Sequence, residues 1–213
     1  MLWLLYIAAV LISASSASEE GENTQCPNNI GMTDTLRELF LNSHNSKRTQ
    51  LAQGLVREKN GNLLPQATNM IRLDLDCELE AGAIAYAKTC PHAASDPSTR
   101  NETGELYHRV SVSSTVPTQE DGIKNAVTNW WKVVSFYPGI GMKAMFRKAH
   151  VKTPIESFTQ VGWARTKSLG CSIVTCESDY VVICRYYPKG NIVGENVYIP
   201  GDTCTQFFSK HMQ

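Results

Sequence analysis

The amino-acid sequence predicts one α+β domain, and two observations carry that prediction. Helical periodicity dominates residues 34–150, with a single strand pattern among the helices, whereas three strand patterns follow one another between residues 158 and 187. Segregated helices and strands of this kind are typical of α+β folds. The sequence contains no internal repeat, and a mature chain of about 195 residues buries roughly 70% of the surface it exposes when unfolded.

The helices are predicted from apolar stripes and from the residues that precede them. The first begins near Asp34, with Thr33 as the alternative N-cap. The second runs over 76–90 and begins at Asp76. The third spans 118–136 and has the clearest helical spacing, and a short fourth helix is expected over 142–150. The apolar stripe of the third helix consists of Ile123, Ala126, Val127, Trp130 and Val134.

The strands are predicted from short runs of β-forming residues between turns. One strand is expected over 106–112, where apolar and polar residues alternate weakly. Three more are expected over 158–164, 169–175 and 180–187, with turns that contain Lys-Ser-Leu-Gly and Glu-Ser-Asp. The remaining segments are predicted to be irregular: 59–70, 91–104 and 190–204.

The N-terminal residues predict export. Residues 2–12 form an unbroken apolar run, and Ser15-x-Ala17 is typical of a signal-peptidase site, so residues 1–17 are expected to be a signal peptide. A membrane anchor is the alternative, and it is disfavoured because a spanning helix needs about 20 apolar residues. We therefore expect a secreted, soluble, extracellular protein in which residues 18–32 form an N-terminal extension.

The charge balance indicates which partners are not expected, and the cysteine content indicates that disulfides are. Lys and Arg number 20, as do Asp and Glu, so bulk charge predicts no nucleic-acid or anionic-membrane partner. Seven cysteines in an exported chain predict disulfides, and the odd one is free or available for a covalent homodimer. Cys77 and Cys90 are not expected to pair, because the helix between them rises about 20 Å.

Three segments carry a resemblance to a known family. Residues 181–192 read Val-Val-Ile-Cys-Arg-Tyr-Tyr-Pro-Lys-Gly-Asn-Ile, residues 156–163 read Glu-Ser-Phe-Thr-Gln-Val-Gly-Trp, and His44-Asn45-x-x-Arg48 lies on the first helix. Together they resemble the CAP superfamily of cysteine-rich secretory, antigen 5 and pathogenesis-related 1 proteins. The cysteine pattern and the run Cys-Glu-Leu-Glu-Ala at 77–81 are similar to those of the nematode activation-associated secreted proteins.

The resemblance covers residues 33–204 as a single CAP domain and leaves 205–213 as a C-terminal tail. It implies an α-β-α sandwich with a central three- or four-stranded antiparallel sheet. It also implies a disulfide between Cys171 and Cys184, which flank a predicted hairpin. Pairing within the remaining cysteines stays open: Cys26, Cys77, Cys90, Cys176 and Cys204.

CAP proteins build a cleft lined by two histidines and two glutamates, and the resemblance assigns four positions of this chain to that cleft. Those positions are Ala94, Glu105, Val133 and Ser157, so only one of the four retains an ionisable side chain. One carboxylate cannot hold zinc tightly, and it has no acid or base partner. We therefore expect no catalytic residue, no metal site and no cofactor, and the protein is predicted not to be an enzyme.

Several residues near the expected cleft have two interpretations. His92 either replaces a lost cleft histidine or is a solvated loop residue. His108 should point away from Glu105, because they are three residues apart on a strand, and His44 is interpreted as a structural histidine. The aromatic residues near 130–137 form either core or a carbohydrate- or lipid-binding platform. Asn101 begins the sequon Asn-Glu-Thr and is a candidate glycosylation site.

The functional prediction follows from the family resemblance and the incomplete cleft. The resemblance implies a non-enzymatic secreted protein that binds an extracellular host protein or an immune-cell receptor and modulates immunity at the host–parasite interface. A secreted carrier of lipid or sterol is the alternative. A metal-dependent hydrolase is a further alternative, and the missing cleft residues disfavour it.

Overall fold

The computed structural model describes residues 21–100 and 102–202. The expected signal peptide, the sequon residue Asn101, Cys204 and the expected tail 205–213 lie outside the described residues. Within the described part, the helices are α1 (Asp34–Ala52), α2 (Cys77–Ala87), α3 (Gln119–Lys132) and α4 (Ile155–Val161). The strands are β1 (Asp74–Leu75), β2 (Gly104–Ser111), β3 (Ser168–Cys176) and β4 (Asp179–Tyr187). No helix of the described residues is long and apolar enough to cross a membrane.

Side-chain caps set the starts of the first three helices. Thr33, the alternative cap of the sequence analysis, accepts a hydrogen bond from the backbone N–H of Leu36 and begins α1. Asp76 caps α2 through two backbone N–H groups, and Thr118 caps α3. These bonds satisfy N–H groups that have no partner inside the helix. The helices therefore begin where the sequence predicts them to begin.

The strands form one four-stranded sheet in the order β1-β3-β4-β2. β2 pairs with β4 and β4 with β3 in antiparallel fashion, whereas β1 pairs with β3 in parallel through Asp74 and Leu75. The predicted α+β sandwich is confirmed, but the sheet is mixed rather than wholly antiparallel. The two-residue β1 was missed because two residues are too few to show an alternating pattern.

Two hydrophobic clusters lie on opposite faces of the sheet, which makes the fold a three-layer sandwich. Along β4, Val182, Cys184 and Tyr186 belong to the large cluster shared with α1, α3 and α4. Val181 and Ile183 belong to a smaller cluster shared with α2. Successive side chains of a strand point to opposite faces, so a strand covered on both sides reads as a continuous apolar run.

The layer formed by α2 lies very close to the sheet. A Cβ atom added at Gly170 of β3 would collide with the backbone of Leu79 and Glu80 in α2. A Cβ atom added at Gly82 of α2 would collide with the guanidinium group of Arg185 on β4. Glycine at these two positions lets the helix approach the sheet and leaves room for the Arg185 side chain.

One predicted strand is wrong: residues 158–164 do not extend the sheet, because Ile155–Val161 is helix α4. Ile155, Phe158 and Val161 are buried at helical spacing. A short apolar run does not distinguish a buried strand from a buried helix. The short helix predicted over 142–150 is also reduced, to a 3₁₀ turn at Lys148–His150.

Three disulfides are present among the described residues: Cys26–Cys77, Cys90–Cys176 and Cys171–Cys184. The first ties the N-terminal extension to the start of α2. Asp34 ties the same extension to α1, since its carboxylate accepts hydrogen bonds from the hydroxyl and backbone N–H of Thr24. These bonds, led by the Thr24 hydroxyl, hold the pKa of Asp34 below its ordinary value.

Candidate functional site

An open cleft of about 950 Å³ lies beside β2, at the edge of the sheet that no other strand covers. One wall is formed by residues 92–94, and the opposite wall by the C-terminal end of α3 and the segment 133–137. Trp130 of α3 donates a hydrogen bond from Nε1 to the Tyr107 carbonyl oxygen, 3.1 Å away, and so fixes α3 against this edge. Ala94, Glu105, Val133 and Ser157, the four positions assigned from the resemblance, all line the cleft.

Glu105, the one ionisable residue among the four, is held in a closed set of bonds. Its Oε2 accepts a hydrogen bond from Arg185 Nε at 3.0 Å, and its Oε1 accepts one from the Ser95 backbone N–H at 2.7 Å. Arg100 Nε lies 3.8 Å from Oε1, and the Glu105 side chain is 0% exposed. A carboxylate paired with two cations and shielded from solvent is a structural anchor between β4 and the 95–100 loop.

The other three positions carry no acid or base. Ala94 and Val133 have only aliphatic side chains. The Ser157 hydroxyl lies 2.9 Å from the carbonyl oxygens of Trp130 and of Pro154, so its proton is used within the protein. A serine nucleophile needs an adjacent base, and the partners of this hydroxyl are both backbone carbonyls.

The histidines near the cleft also have structural partners. His92 is exposed on the cleft wall, and its Nδ1 accepts a hydrogen bond from Arg109 Nη1 at 3.3 Å. His108 bonds through Nε2 to Asn125 Oδ1 at 2.9 Å and stacks edge-on against Trp130. Burial lowers the pKa of His108. Because its contacts are with α3, His108 lies on the face of β2 opposite to Glu105.

The motif His44-Asn45-x-x-Arg48 lies away from the cleft and is buried in the core. His44 donates from Nδ1 to the Phe40 carbonyl oxygen and accepts the Tyr186 hydroxyl proton at Nε2. Burial, reinforced by the charge of Arg48, lowers the pKa of His44 to about 4. The imidazole is therefore neutral at physiological pH and serves as a core hydrogen-bonding group.

Arg48 joins three parts of the chain through backbone carbonyl groups. Its guanidinium donates to Ile71 at 2.8 Å, to Val161 at 3.0 Å and to Trp163 at 2.8 Å. Asn45 adds a reciprocal pair of hydrogen bonds with the backbone of Leu73. The motif therefore connects α1 to the segment before β1 and to the end of α4, which explains its residue types without any chemistry in the cleft.

The described residues contain no group of three or more His, Cys, Asp or Glu side chains that could hold a metal ion. A catalytic zinc site needs three protein ligands and an open position for water. Within the cleft, Glu105 is already bonded to Arg185, and His92 faces the cation of Arg109. Within the described part of the chain, the side chains that line the cleft therefore do not form the three-ligand group that a catalytic zinc site needs.

The aromatic residues near the cleft divide between core and surface. Trp130 and Trp131 are buried, as expected for core residues at helical spacing. Phe136 and Tyr137 are 61% and 41% exposed and line the cleft. Helical spacing alone does not distinguish the buried pair, Trp130 and Trp131, from the exposed pair, Phe136 and Tyr137. The signal was available, since Phe136 and Tyr137 precede Pro138-Gly139, where a helix ends and side chains leave the packed face.

Comparisons with known proteins show the family and the fold. Residues 41–186 match the family model described as CAP, the cysteine-rich secretory protein family. The chain is 34% identical over 187 residues to the Ancylostoma secreted protein of Ancylostoma caninum. That alignment covers 86% of this chain and 43% of the relative.

Two solved structures have the same fold and are at least 30% identical in sequence to this chain. The crystal structure of Na-ASP-1 has a TM-score of 0.80 and 35% identity, covering 86% of this chain and 46% of that one. The crystal structure of NaASP2 with Zn²⁺ has a TM-score of 0.78 and 30% identity, covering 85% of this chain and 93% of that one. The chain therefore spans less than half the length of the first two relatives and most of the third.

Proposed function

Since the chain belongs to the CAP family, we propose that it is a secreted, non-enzymatic binding protein. Its partner is an extracellular host protein or an immune-cell receptor, and its effect is to modulate the host immune response. Kinship with a secreted protein of a parasitic nematode, Ancylostoma caninum, supports this setting. Three disulfides among the described residues suit an oxidising extracellular environment.

The observation that carries this proposal is the state of Glu105. A general acid or base must reach the substrate with an available proton or lone pair. The Glu105 carboxylate is instead buried and bonded to Arg185 and Ser95. Ala94, Val133 and Ser157 supply no second acid, base or metal ligand, so the cleft is suited to recognition rather than to hydrolysis.

The cleft nevertheless has features of a binding surface. Phe136 and Tyr137 expose aromatic rings beside it, and Lys132 adds a positive charge. Aromatic side chains of this kind are common among the residues that dominate protein–protein binding energy. We therefore place the centre of the binding surface on the 133–137 wall of the cleft.

A lipid or sterol carrier is the second candidate, because Trp130, Val133 and Phe136 give the cleft an apolar wall. Small-molecule sites commonly bury 70–90% of the ligand, whereas the exposure of Phe136 and Tyr137 shows that this cleft is open. A carrier would retain lipid through purification. Lipid extraction of the native protein followed by mass spectrometry separates the two candidates, and stoichiometric lipid would favour the carrier.

Cell-surface binding tests the proposal directly. Labelled protein should bind saturably to host leukocytes or to a component captured from host serum. The double variant Phe136→Ala/Tyr137→Ala should weaken that binding by about tenfold or more, as expected for truncated aromatic anchors. The control Ile30→Ala/Leu55→Ala removes two apolar side chains outside the cleft that are at least as exposed as Phe136 and Tyr137, and it should bind as the native protein does.

The enzymatic alternative is tested with Glu105→Gln. This variant leaves Arg185 without its counter-charge, so its stability should fall, and binding must be compared per folded molecule. The proposal expects unchanged binding and an unchanged cellular effect. Loss of the cellular effect by a folded Glu105→Gln protein would favour the hydrolase instead.

A further inference from the structure

The chain has equal numbers of acidic and basic residues, but they are unevenly distributed along the sequence. Residues 122–155 contain no Asp or Glu, although the chain as a whole has as many acidic as basic residues. Six cations lie in this segment, and four of them fall within ten residues. These four are Lys143, Arg147, Lys148 and Lys152.

All four of these cations are exposed, and none forms an ion pair with another described residue. Arg147 donates from Nη2 to the Ile140 carbonyl oxygen at 2.7 Å, a bond that orients the guanidinium without neutralising it. Consecutive members of the set are at most four residues apart, which is about 14 Å of extended chain. Salt screens exposed charges from one another beyond about 8 Å, so an anionic chain must contact these cations directly in order to pair with several of them.

The segment also forms a surface depression. A hollow of about 400 Å³ is lined by residues 140–143, Met145 and Arg147, and Lys143 and Arg147 are its charged members. Backbone hydrogen bonds from Ala144 to Gly141 and from Phe146 to Glu195 hold this part of the chain in place. Two of the four cations, Lys143 and Arg147, therefore lie in an ordered, concave surface.

A second cationic stretch lies against the same region. Glu58 is buried and accepts a hydrogen bond from the Gly141 backbone N–H at 2.9 Å, while its neighbours Arg57 and Lys59 are exposed. The Lys59 backbone N–H bonds to the Val134 carbonyl oxygen at 3.1 Å. In the segment 57–59, the acidic side chain of Glu58 is therefore buried, and the cationic side chains of Arg57 and Lys59 are exposed. We call these six residues the basic surface: Arg57, Lys59, Lys143, Arg147, Lys148 and Lys152.

Three acids are close to the basic surface: Glu195 and Glu58 are bonded to other groups, whereas Glu156, four residues after Lys152, is partly exposed. Glu195 lies beside the segment, because its carbonyl oxygen accepts from Phe146, but its carboxylate pairs with Arg165 at 3.0 Å. Glu58 points inward, as described above. The basic surface therefore keeps an excess of positive charge on a chain whose formal net charge is +0.

We propose that the basic surface binds a sulfated polysaccharide, an extracellular linear polyanion whose sulfate groups pair with the six cations. An exported protein meets such chains on cell surfaces, whereas anionic phospholipids concentrate in the cytoplasmic leaflet. The lysines supply mobile point charges and the two arginines supply planar forks for sulfate oxygens. This surface adjoins the aromatic wall of the cleft through the Lys59–Val134 bond, but it consists of other side chains and takes a different ligand, so the inference goes beyond the proposed function.

Affinity for a size-defined heparin oligosaccharide, measured by calorimetry across a salt series, tests the inference. The variant Lys143→Glu/Lys148→Glu/Lys152→Glu should weaken binding by about tenfold or more and reduce the slope of log K against log salt by about 3. Arg147 is left in place because it bonds to Ile140. The matched control Lys88→Glu/Lys124→Glu/Lys167→Glu changes the net charge equally on other elements and should retain most of the affinity and slope.

Three results would overturn the inference. The first is the absence of heparin binding by the native protein at physiological salt. The second is equal weakening by the two triple variants, which would mean that net charge alone attracts the polyanion. The third is binding to phosphatidylserine vesicles that depends on Lys143, Lys148 and Lys152, with no such dependence for heparin, which would assign the surface to a membrane. Thermal melting of each variant confirms that the compared proteins are folded.

Discussion

Glu105 illustrates how the neighbours of a residue decide its role. The family resemblance assigns it to a position that carries a cleft carboxylate, and it does line the cleft. However, Arg185 and the Ser95 backbone N–H occupy its two oxygen atoms, and Arg100 lies close by. The carboxylate therefore stabilises the junction between β4 and the 95–100 loop. A glutamate with free oxygen atoms could act as an acid, a base or a metal ligand, but the oxygens of Glu105 are used in structural bonds.

His44 should make the stability of the protein sensitive to mild acid. Its pKa is about 4 in the folded protein and about 6.5 when exposed, so the unfolded chain binds the proton first as pH falls. Stability is therefore fully present above pH 6.5 and declines towards pH 4. From pH 7 to pH 4.5, the His44 contribution to the unfolding free energy should fall by about 2 kcal/mol.

Urea unfolding of the native protein, His44→Gln and His92→Gln at both pH values measures this effect. Glutamine can retain hydrogen bonds to Phe40 and Tyr186 without titrating, so His44→Gln should lose less stability between pH 7 and pH 4.5 than the native protein does. His92 is exposed, so His92→Gln should behave as the native protein does. Equal pH dependence in all three proteins would contradict the role assigned to His44.

At the scale of elements, long amphipathic segments could be predicted from the sequence and short ones could not. The third predicted helix, over 118–136, contains α3, and its buried stripe includes Ile123, Ala126 and Trp130. By contrast, α4 has seven residues and was predicted as a strand, because a short apolar run fits both periods. β1 depends on pairing with β3 across a large sequence separation, which no local pattern records.

The candidate site, like the fold, could be predicted where local motifs define it but not where it depends on contacts between distant residues. The four cleft positions could be assigned by motif matching, and they do line one cleft. The partners of Glu105 could not be predicted, because Arg185 is 80 residues distant and is brought to Glu105 only by strand register. Long-range pairing also explains why the acidic Glu58 points inward between two exposed cations, which the sequence alone does not reveal.

The close packing of α2 against the sheet yields a prediction for Gly170→Ala. The added methyl group meets the backbone of Leu79 and Glu80, so α2 must move away from β3. Overpacking of this kind costs typically 1–3 kcal/mol, and urea unfolding should show a loss of about 2 kcal/mol.

Gly82→Ala is the matched control, since it adds the same methyl group on the other side of the α2–sheet interface. The methyl group meets Nη1 of Arg185 rather than backbone, whereas the bond to Glu105 uses Nε, and alanine favours the helix by roughly 1 kcal/mol over glycine. Its stability should change by less than that of Gly170→Ala. Equal losses in the two variants would contradict the description of Gly170 as the point of closest approach.

At the scale of the whole molecule, the two proposals assign recognition to two surfaces rather than to a catalytic centre. The cleft presents Phe136 and Tyr137 at the uncovered edge of the sheet. The basic surface lies on the irregular segments 57–59 and 143–152, which the disulfide-linked sandwich supports. A rigid scaffold that carries surface loops is a common basis for binding proteins, and both proposals use the CAP fold in this way.

Calorimetric titration with Zn²⁺ tests the central claim most directly, that this cleft supports neither metal binding nor metal-dependent catalysis. The native protein should give no saturable heat, because Glu105 is engaged by Arg185 and the described residues contain no group of three potential metal ligands. The variant Ala94→His/Val133→Glu/Ser157→His restores the ligand types at the three other positions and serves as the positive control. A saturable one-site isotherm for the native protein, abolished by Glu105→Gln or His92→Ala, would contradict the account.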